Sequence, residues 1–475
     1  MEKLKRIFLV KNNRDLILEG NVIRALLFLA IPIIITNFLQ QMYNLTDTFW
    51  LGKIGTIPQA AISMVSPIQS TMMSFGQGIT MAGSILMAQY IGAGRMRSAK
   101  SMANQIFVCA MIFSVFCAGT LFALTPIITS WMGADGEIFS LGNIYLRIVI
   151  LDTPLLFIIN IFGAVNQSQG NTIFPMLINF LGIVINMILD PLFLMVFHMG
   201  IGGAAIATLG AKIPCAIIAL KYLLNRNNSI SLDLRYMRPK WNKIKKIISV
   251  GLPTALGSSA MQFGFVLMSK NVYVFGSSAM AAYGVGNKIN GIITLPANAL
   301  GSATSTIVGQ NLGAGQIKRA EKGYKTATIV GMGLLFIMGM ILSRPAVSTI
   351  IVNIFTSDNT VVPMAVDFIS IMSFWCFTNS VYNCTVGLLN GSGKTKITMI
   401  IEATRLWVFR FATIFFCQNI LHMGVESIWY SVVVSNGLSA LILLIVYTTR
   451  IWEKDSLGVR SVSPRSEEHT SELQS

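Results

Sequence analysis

Charge is what this sequence has least of. Of its 475 residues only 11% are Asp, Glu, Lys or Arg, against about 25% in ordinary soluble domains, while 53% are hydrophobic. A water-soluble globule is excluded. Histidine is scarce too, and the six cysteines, Cys109, Cys117, Cys215, Cys376, Cys384 and Cys417, lie inside apolar stretches with no Cys-x-x-Cys pair. They read as reduced packing residues, with neither a disulfide framework nor zinc-ligand spacing. There is no nucleophile elbow and no His-Glu metalloprotease pattern, which argues against a membrane-embedded enzyme. The apolar runs also lack the period-two alternation of a barrel strand.

What is present is a series of apolar runs, each long enough to cross a bilayer as a helix, the one open element lipid tolerates. A window of about 19 residues yields twelve spans: 22–50, 58–90, 102–128, 138–166, 172–197, 203–225, 247–272, 279–311, 324–349, 360–390, 396–420 and 424–450. The expected fold class is an all-α polytopic membrane protein.

The formal charge of +16 suits either nucleic acid or an anionic membrane face. Position decides. Lys and Arg gather before span 1 and then in every second loop, at Arg95, Arg97 and Lys100, from Lys221 to Lys246, from Lys318 to Lys325, at Lys394 and Lys396, and after span 12. The opposite loops hold little more than Lys53 and Arg344. By the positive-inside rule both termini are cytoplasmic, and no nucleic-acid partner is expected. The run from Val22 is too long for a cleaved signal and no small-residue cleavage site follows it. The last eleven residues, Arg465 to Ser475, are unlike the rest. Back-translated, they match a common short-read sequencing adapter in one frame, so they are expected to be non-biological.

The chain repeats at a shift near 221. Pro32 in AIPIIITNFLQQ corresponds to Pro253 in GLPTALGSSAMQ, and MAQYIGAGRMRSAK from Met87 corresponds to VGQNLGAGQIKRAE from Val308. Further on, QGNT at Gln169 pairs with SGKT at Ser392. Two six-helix bundles of one orientation follow, related by an axis along the membrane normal and enclosing a cleft suited to alternating access. The expected organisation is a cytoplasmic segment 1–21, an N-lobe 22–225, a basic linker 226–246, a C-lobe 247–450, a tail 451–464 and the adapter-like 465–475.

An ionisable group inside a bilayer costs at least about 2.5 kcal/mol and marks a functional candidate. The acids are Asp47, Asp152, Asp190 and Glu402, with Asp367 nearer an end. Counting about 1.5 Å per residue from the outer end of each span, Asp47 lies roughly 6 Å deep, Thr208 roughly 8 Å and Asp190 roughly 10 Å. Asn186 stands one turn deeper on the face of Asp190. Asp47, Asn186, Asp190 and Thr208 form an oxygen-only set that suits Na⁺, a hard cation, or equally a proton shared between carboxylates. Lys212, one turn beyond Thr208, needs a partner, and Asp152 on span 4 is near enough for an ion pair. GLLNGSGKT from Gly387 imitates a phosphate loop, but five residues separate its first Gly from the Gly-Lys pair where four are required, and it ends a membrane helix. No nucleotide and no cofactor is expected.

Together these residues resemble the multidrug and toxic compound extrusion (MATE) family from Val22 to Arg450. The marks are AIPIIITNFLQQMYNLTDTFWLG from Ala30, the repeated Gln-x-x-Gly-Ala-Gly loops, and the QGNT and SGKT turns. The resemblance implies a prokaryotic inner-membrane transporter, acting as a monomer, that exports small organic, amphipathic and mainly cationic compounds in exchange for Na⁺ or H⁺. It implies that Asp47, Asn186, Asp190 and Thr208 form an N-lobe cation site like that of the DNA-damage-inducible branch, that Pro32 bends helix 1, and that Gln40 and Tyr43 line the same cavity with Asp152 and Lys212. Two departures are visible. Gln262 and Asn379 stand near positions that are acidic in another branch, and Lys212 occupies a usually apolar spot. A lipid-linked saccharide flippase of the wider superfamily is the alternative within transport.

Overall fold

In the computed structural model the described residues are 10–233, 237–455 and 457–459, with the side chains at 10–12, 45, 47–49, 51–54 and 56 left aside. The adapter-like tail lies outside them. Among the described residues every long regular element is helical, and twelve helical spans form two bundles of six. Spans 1 to 6 are Val22–Ile54, Thr56–Gly92, Met96–Trp131, the bent pair Gly136–Leu151 and Thr153–Ser168, Ile173–Pro191 prolonged by the π-turn Leu192–Val196, and Gly200–Leu224. Spans 7 to 12 are Trp241–Tyr273, Ser277–Ile293 with Leu295–Gly313, Ile317–Leu342, the bent pair Val361–Phe374 and Thr378–Gly391, Thr395–Thr404 passing through the π-turn Arg405–Arg410 into Phe411–Asn419, and Glu426–Thr448. Seven of these are single helices long and apolar enough to cross a bilayer, and the bent spans 4 and 10 add two. Spans 2, 8 and 11, which are more polar or interrupted, complete the set.

Prolines explain several breaks. Asp152 and Pro154 part the halves of span 4, bent by 40°, and Pro296 opens the second half of span 8. Pro345 ends span 9 early, at Leu342 where 349 was expected, because the residue before a proline is pushed out of the α region; a separate helix, Pro345–Phe355, follows. The sharper bend of span 10, 56° across Trp375–Phe377, has no proline.

The repeat becomes a physical contact where the lobes meet, near the face that carries the termini. A Cβ on Gly92 would lie 1.9 Å from the Gln310 carbonyl oxygen, and one on Gly313 would lie 2.1 Å from that of Gln89. Only glycine permits so close a backbone crossing. Gln89 Nε2 donates to the Gly391 carbonyl (2.8 Å) while Gln310 Nε2 donates to that of Ser168 (2.7 Å). Equivalent residues thus exchange equivalent hydrogen bonds, as a pseudo-twofold axis requires.

Packing crosses the lobe boundary. The start of span 1 (Ala25, Leu26, Leu29) shares a buried cluster with Leu300, Ile307 and Tyr324 of spans 8 and 9. Ile247 and Val250 of span 7 reciprocate by joining Phe162 and Ala219 of the first bundle. Within residues 1–21 lies an unanticipated helix, Val10–Leu18. Arg14 donates to the carbonyls of Ile91 (3.0 Å) and Gly92 (3.1 Å), and Arg319 donates to those of Ile17 (3.0 Å) and Gly20 (2.5 Å), so this helix straps one lobe to the other.

Candidate functional site

Span 5 turns one polar face inward. Asn186 and Asp190, four residues apart, are 3% and 1% exposed, and Asn186 Nδ2 donates to Asp190 Oδ1 at 3.2 Å. The amide oxygen of Asn186 is buried with no hydrogen-bond partner among the described residues. A nitrogen that steers the carboxylate and an oxygen left free to coordinate is the disposition a hard cation needs. Pro191 closes the α-helix, and the π-turn Leu192–Val196 begins at the next residue. Such turns interrupt helices frequently at functional positions.

Thr208 stands on span 6, which packs on span 5; its hydroxyl donates to the Ala204 carbonyl at 3.1 Å, leaving its lone pairs as acceptors. Asp47 belongs to span 1, and its side chain lies outside the described residues. Of the four proposed ligands, then, the structure joins Asn186 to Asp190. Gln40 Nε2 reaches Asn44 Oδ1 at 3.4 Å on an exposed face of span 1, and Tyr43 is half-buried.

Lys212 and Asp152 meet: Nζ donates to Oδ2, joining span 6 to the break in span 4. Asp152 is 3% exposed and caps no helix with its side chain, so the ammonium is its counter-charge. A cavity of about 20 Å³ beside Asp152 and Gln69 has room for about one water.

Pro32 has no N–H to offer the carbonyl four residues back, that of Phe28. Thr172, the last residue of the QGNT turn, approaches it instead, its hydroxyl lying 3.4 Å from the Phe28 carbonyl and 3.2 Å from that of Leu29. A groove of about 810 Å³ lined by Leu27, Phe28, Ile31, Pro32 and Ile173 borders this stretch.

Two residues escaped the sequence reading, Arg405 and Arg410. Both lie in span 11 among apolar neighbours, Arg410 at 5% exposure. Their signal was available, since they belong to the few basic residues that sit in neither set of loops.

The MatE family model matches residues 32–192 and again 253–416, once in each bundle. The chain is 25% identical over 454 residues to the Probable multidrug resistance protein NorM of Thermotoga maritima, covering 92% of this chain and 94% of that one. It is 23% identical to the Multidrug export protein MepA of Staphylococcus aureus, covering 91% and 95%. Its fold matches a crystal structure of MATE in complex with MaL6 with a TM-score of 0.86 at 21% identity, covering 92% of this chain and 98% of the other.

Proposed function

We propose, from the premise that this chain belongs to the MatE family of multi-pass membrane transporters, that it is a multidrug efflux antiporter. It exchanges Na⁺ or H⁺ for small amphipathic organic compounds, cationic ones foremost, by alternating access. It works as a monomer in the inner membrane with both termini cytoplasmic, built from an N-lobe 22–225, a linker 226–246 and a C-lobe 247–450.

The observation that carries the reading is the buried Asn186–Asp190 pair, a carboxylate beside an amide oxygen that no described residue claims. A buried carboxylate there is costly, and a cation or proton lowers the cost. In the coupling scheme Asp47, Asn186, Asp190 and Thr208 take the ion, and Pro32 is where span 1 bends in response. Gln40, Tyr43, Asp152 and Lys212 border the substrate cavity. Coupling follows if the ion-bound state holds the compound less tightly than the ion-free state. The glycine crossing at the terminus-bearing face then represents the closed inner gate, and the conformation is outward-facing.

The test is efflux of ethidium from a pump-deficient bacterial host with Na⁺ and pH varied separately, in wild type, Asp47→Asn and Asp190→Asn. Export driven by one of the two gradients and lost in both variants is the expected result. Export in both variants at the wild-type rate would remove the proposed ion site.

A further inference from the structure

The π-turn in span 11 has a geometric consequence. In an α-helix, residues five apart are turned by about 140° from one another, whereas π-helical hydrogen bonds run from i to i+5 and bring such residues nearly into line. Arg405 and Arg410 are five apart and bound this segment. Both guanidinium groups accordingly face span 7. Arg405 Nη2 donates to Met261 Sδ at 2.9 Å, while Arg410 lies 5.9 Å from the ring of Phe265, one turn on. Arg405 also covers Tyr382 at 4.2 Å, and Arg410 Nε donates to Ser435 Oγ at 3.2 Å.

The acceptors around them are neutral, a thioether, hydroxyls and an amide. A guanidinium has five N–H groups. Arg410 makes one hydrogen bond among the described residues, and Arg405 Nε is buried with none. Tyr283, within electrostatic reach of Arg410, and Trp429, stacked on Tyr283 at 6.2 Å, keep their O–H and N–H buried without partners among the described residues. Among the described residues no carboxylate lies within 4 Å of either arginine. Glu402 instead presses against Gly257, where a Cβ would be 2.5 Å from its oxygen. At about 1.5 Å per residue, the arginines lie roughly 15 and 22 Å into the span from Thr395, near mid-membrane. Contacts with aromatic faces recover only about 0.5 to 2 kcal/mol each, far short of what a buried unpaired cation costs.

We infer that the C-lobe contains an anion-binding site held by Arg405 and Arg410. Two guanidinium charges with no ion-paired carboxylate among the described residues leave a net positive charge, so the ligand is an anion: an inorganic halide, or the carboxylate head of an amphipathic organic compound. Arg405 is half-buried and receives the anion, and Arg410 completes its neutralisation further in. The site stands apart from the N-lobe cation site and does not depend on its role.

The test uses the full-length protein in nanodiscs at constant Na⁺, with gluconate, too bulky and hydrated for a dry pocket, as the reference anion. Chloride and benzoate are titrated separately, and thermal unfolding is followed by the reaction of a maleimide dye with the buried cysteines. Wild type is expected to show a saturable rise in melting temperature with at least one of them. Saturation by chloride identifies an inorganic anion, by benzoate a carboxylate head, and competition a shared site. Arg405→Gln and Arg410→Gln should each raise the half-saturating concentration at least tenfold. Should Arg410→Gln fail to fold, the half-buried Arg405→Gln carries the comparison. Asp190→Asn should respond like wild type, which separates this outcome from failure of the antiport reading. A wild-type protein with no saturable response, arginine variants that respond unchanged, or a response abolished by Asp190→Asn would each overturn the proposal.

Discussion

Truncating Lys212 to methionine leaves Asp152 ionised in the break of span 4 with its counter-charge removed. Loss of one partner from a buried pair costs about 3 to 5 kcal/mol, whereas removing both charges is far milder. Lys212→Met should therefore lower the melting temperature in detergent markedly, and Asp152→Asn combined with Lys212→Met should regain most of the loss. Two singly mild variants whose effects simply add would show that the pair is not the stabilising unit. At the proposed ion site, Asn186→Ala removes both the N–H that steers Asp190 and the amide oxygen that no described residue claims. Transport driven by the coupling ion should need about tenfold more of that ion, the effect of losing a contact worth about 1.4 kcal/mol. An unchanged ion dependence would take Asn186 out of the site. Spacing alone brought these two pairs to notice, because i,i+4 geometry and helix depth follow from chain position. It could not reveal that the Asn186 amide oxygen lacks a hydrogen-bond partner among the described residues, which depends on what every neighbouring helix offers.

Span 1 is held differently on either side of Pro32. Before it, Leu26 and Leu29 are buried with the C-lobe; after it, the helix passes to the N-lobe, with Asp47 near its far end. In the proposed rocking of one lobe against the other this point flexes, and Thr172 is the donor that approaches the carbonyls there. Thr172→Val keeps the shape and removes the hydroxyl. It should cost about 1 kcal/mol of stability and alter the transport rate more than the apparent affinity for the compound, since it acts on the bend and not on the pocket. A variant with wild-type rate would separate the QGNT turn from the movement. Pro154, Pro296 and Pro345 stand at three of the interruptions and mark them in the sequence. The bend of span 10 and the π-turns of spans 5 and 11 are not so marked, because they arise from the register of backbone hydrogen bonds, for which no side chain is a marker.

For the molecule as a whole, the lobes close on backbone at Gly92 and Gly313. A methyl group at either position would overlap a carbonyl oxygen, which cannot yield as the end of a flexible side chain can. Gly92→Ala should still insert and fold as two lobes but fail to seal the terminus-bearing face. The expected readout is a rise in labelling of a cysteine placed at Ser168 by a membrane-impermeant maleimide applied from that side, together with loss of efflux. Wild-type labelling would mean that the crossing is not the gate. The strap formed by Val10–Leu18 reinforces the same face, and Arg14→Gln should increase labelling to a smaller degree, since its carbonyl contacts are partly solvated.

Hydrophobicity, loop charge and the 221-residue shift were enough to establish a membrane protein of twelve spans in two like-oriented halves, because these depend on what lipid and water will accept along the chain. The pairing of Gln89 with Gly391 and of Gln310 with Ser168 was beyond such reasoning, although Gln89 and Gln310 had been recognised as equivalent positions of the repeat. Symmetry says that equivalent residues occupy equivalent places; which places touch is settled only when two bundles dock. The same is true of Arg405 and Arg410, which both face span 7 only because a π-turn resets the helix between them. Solvent preference is a property of each residue and can be read in sequence, whereas contact across helices is a property of register and docking, and it came into existence with the tertiary fold.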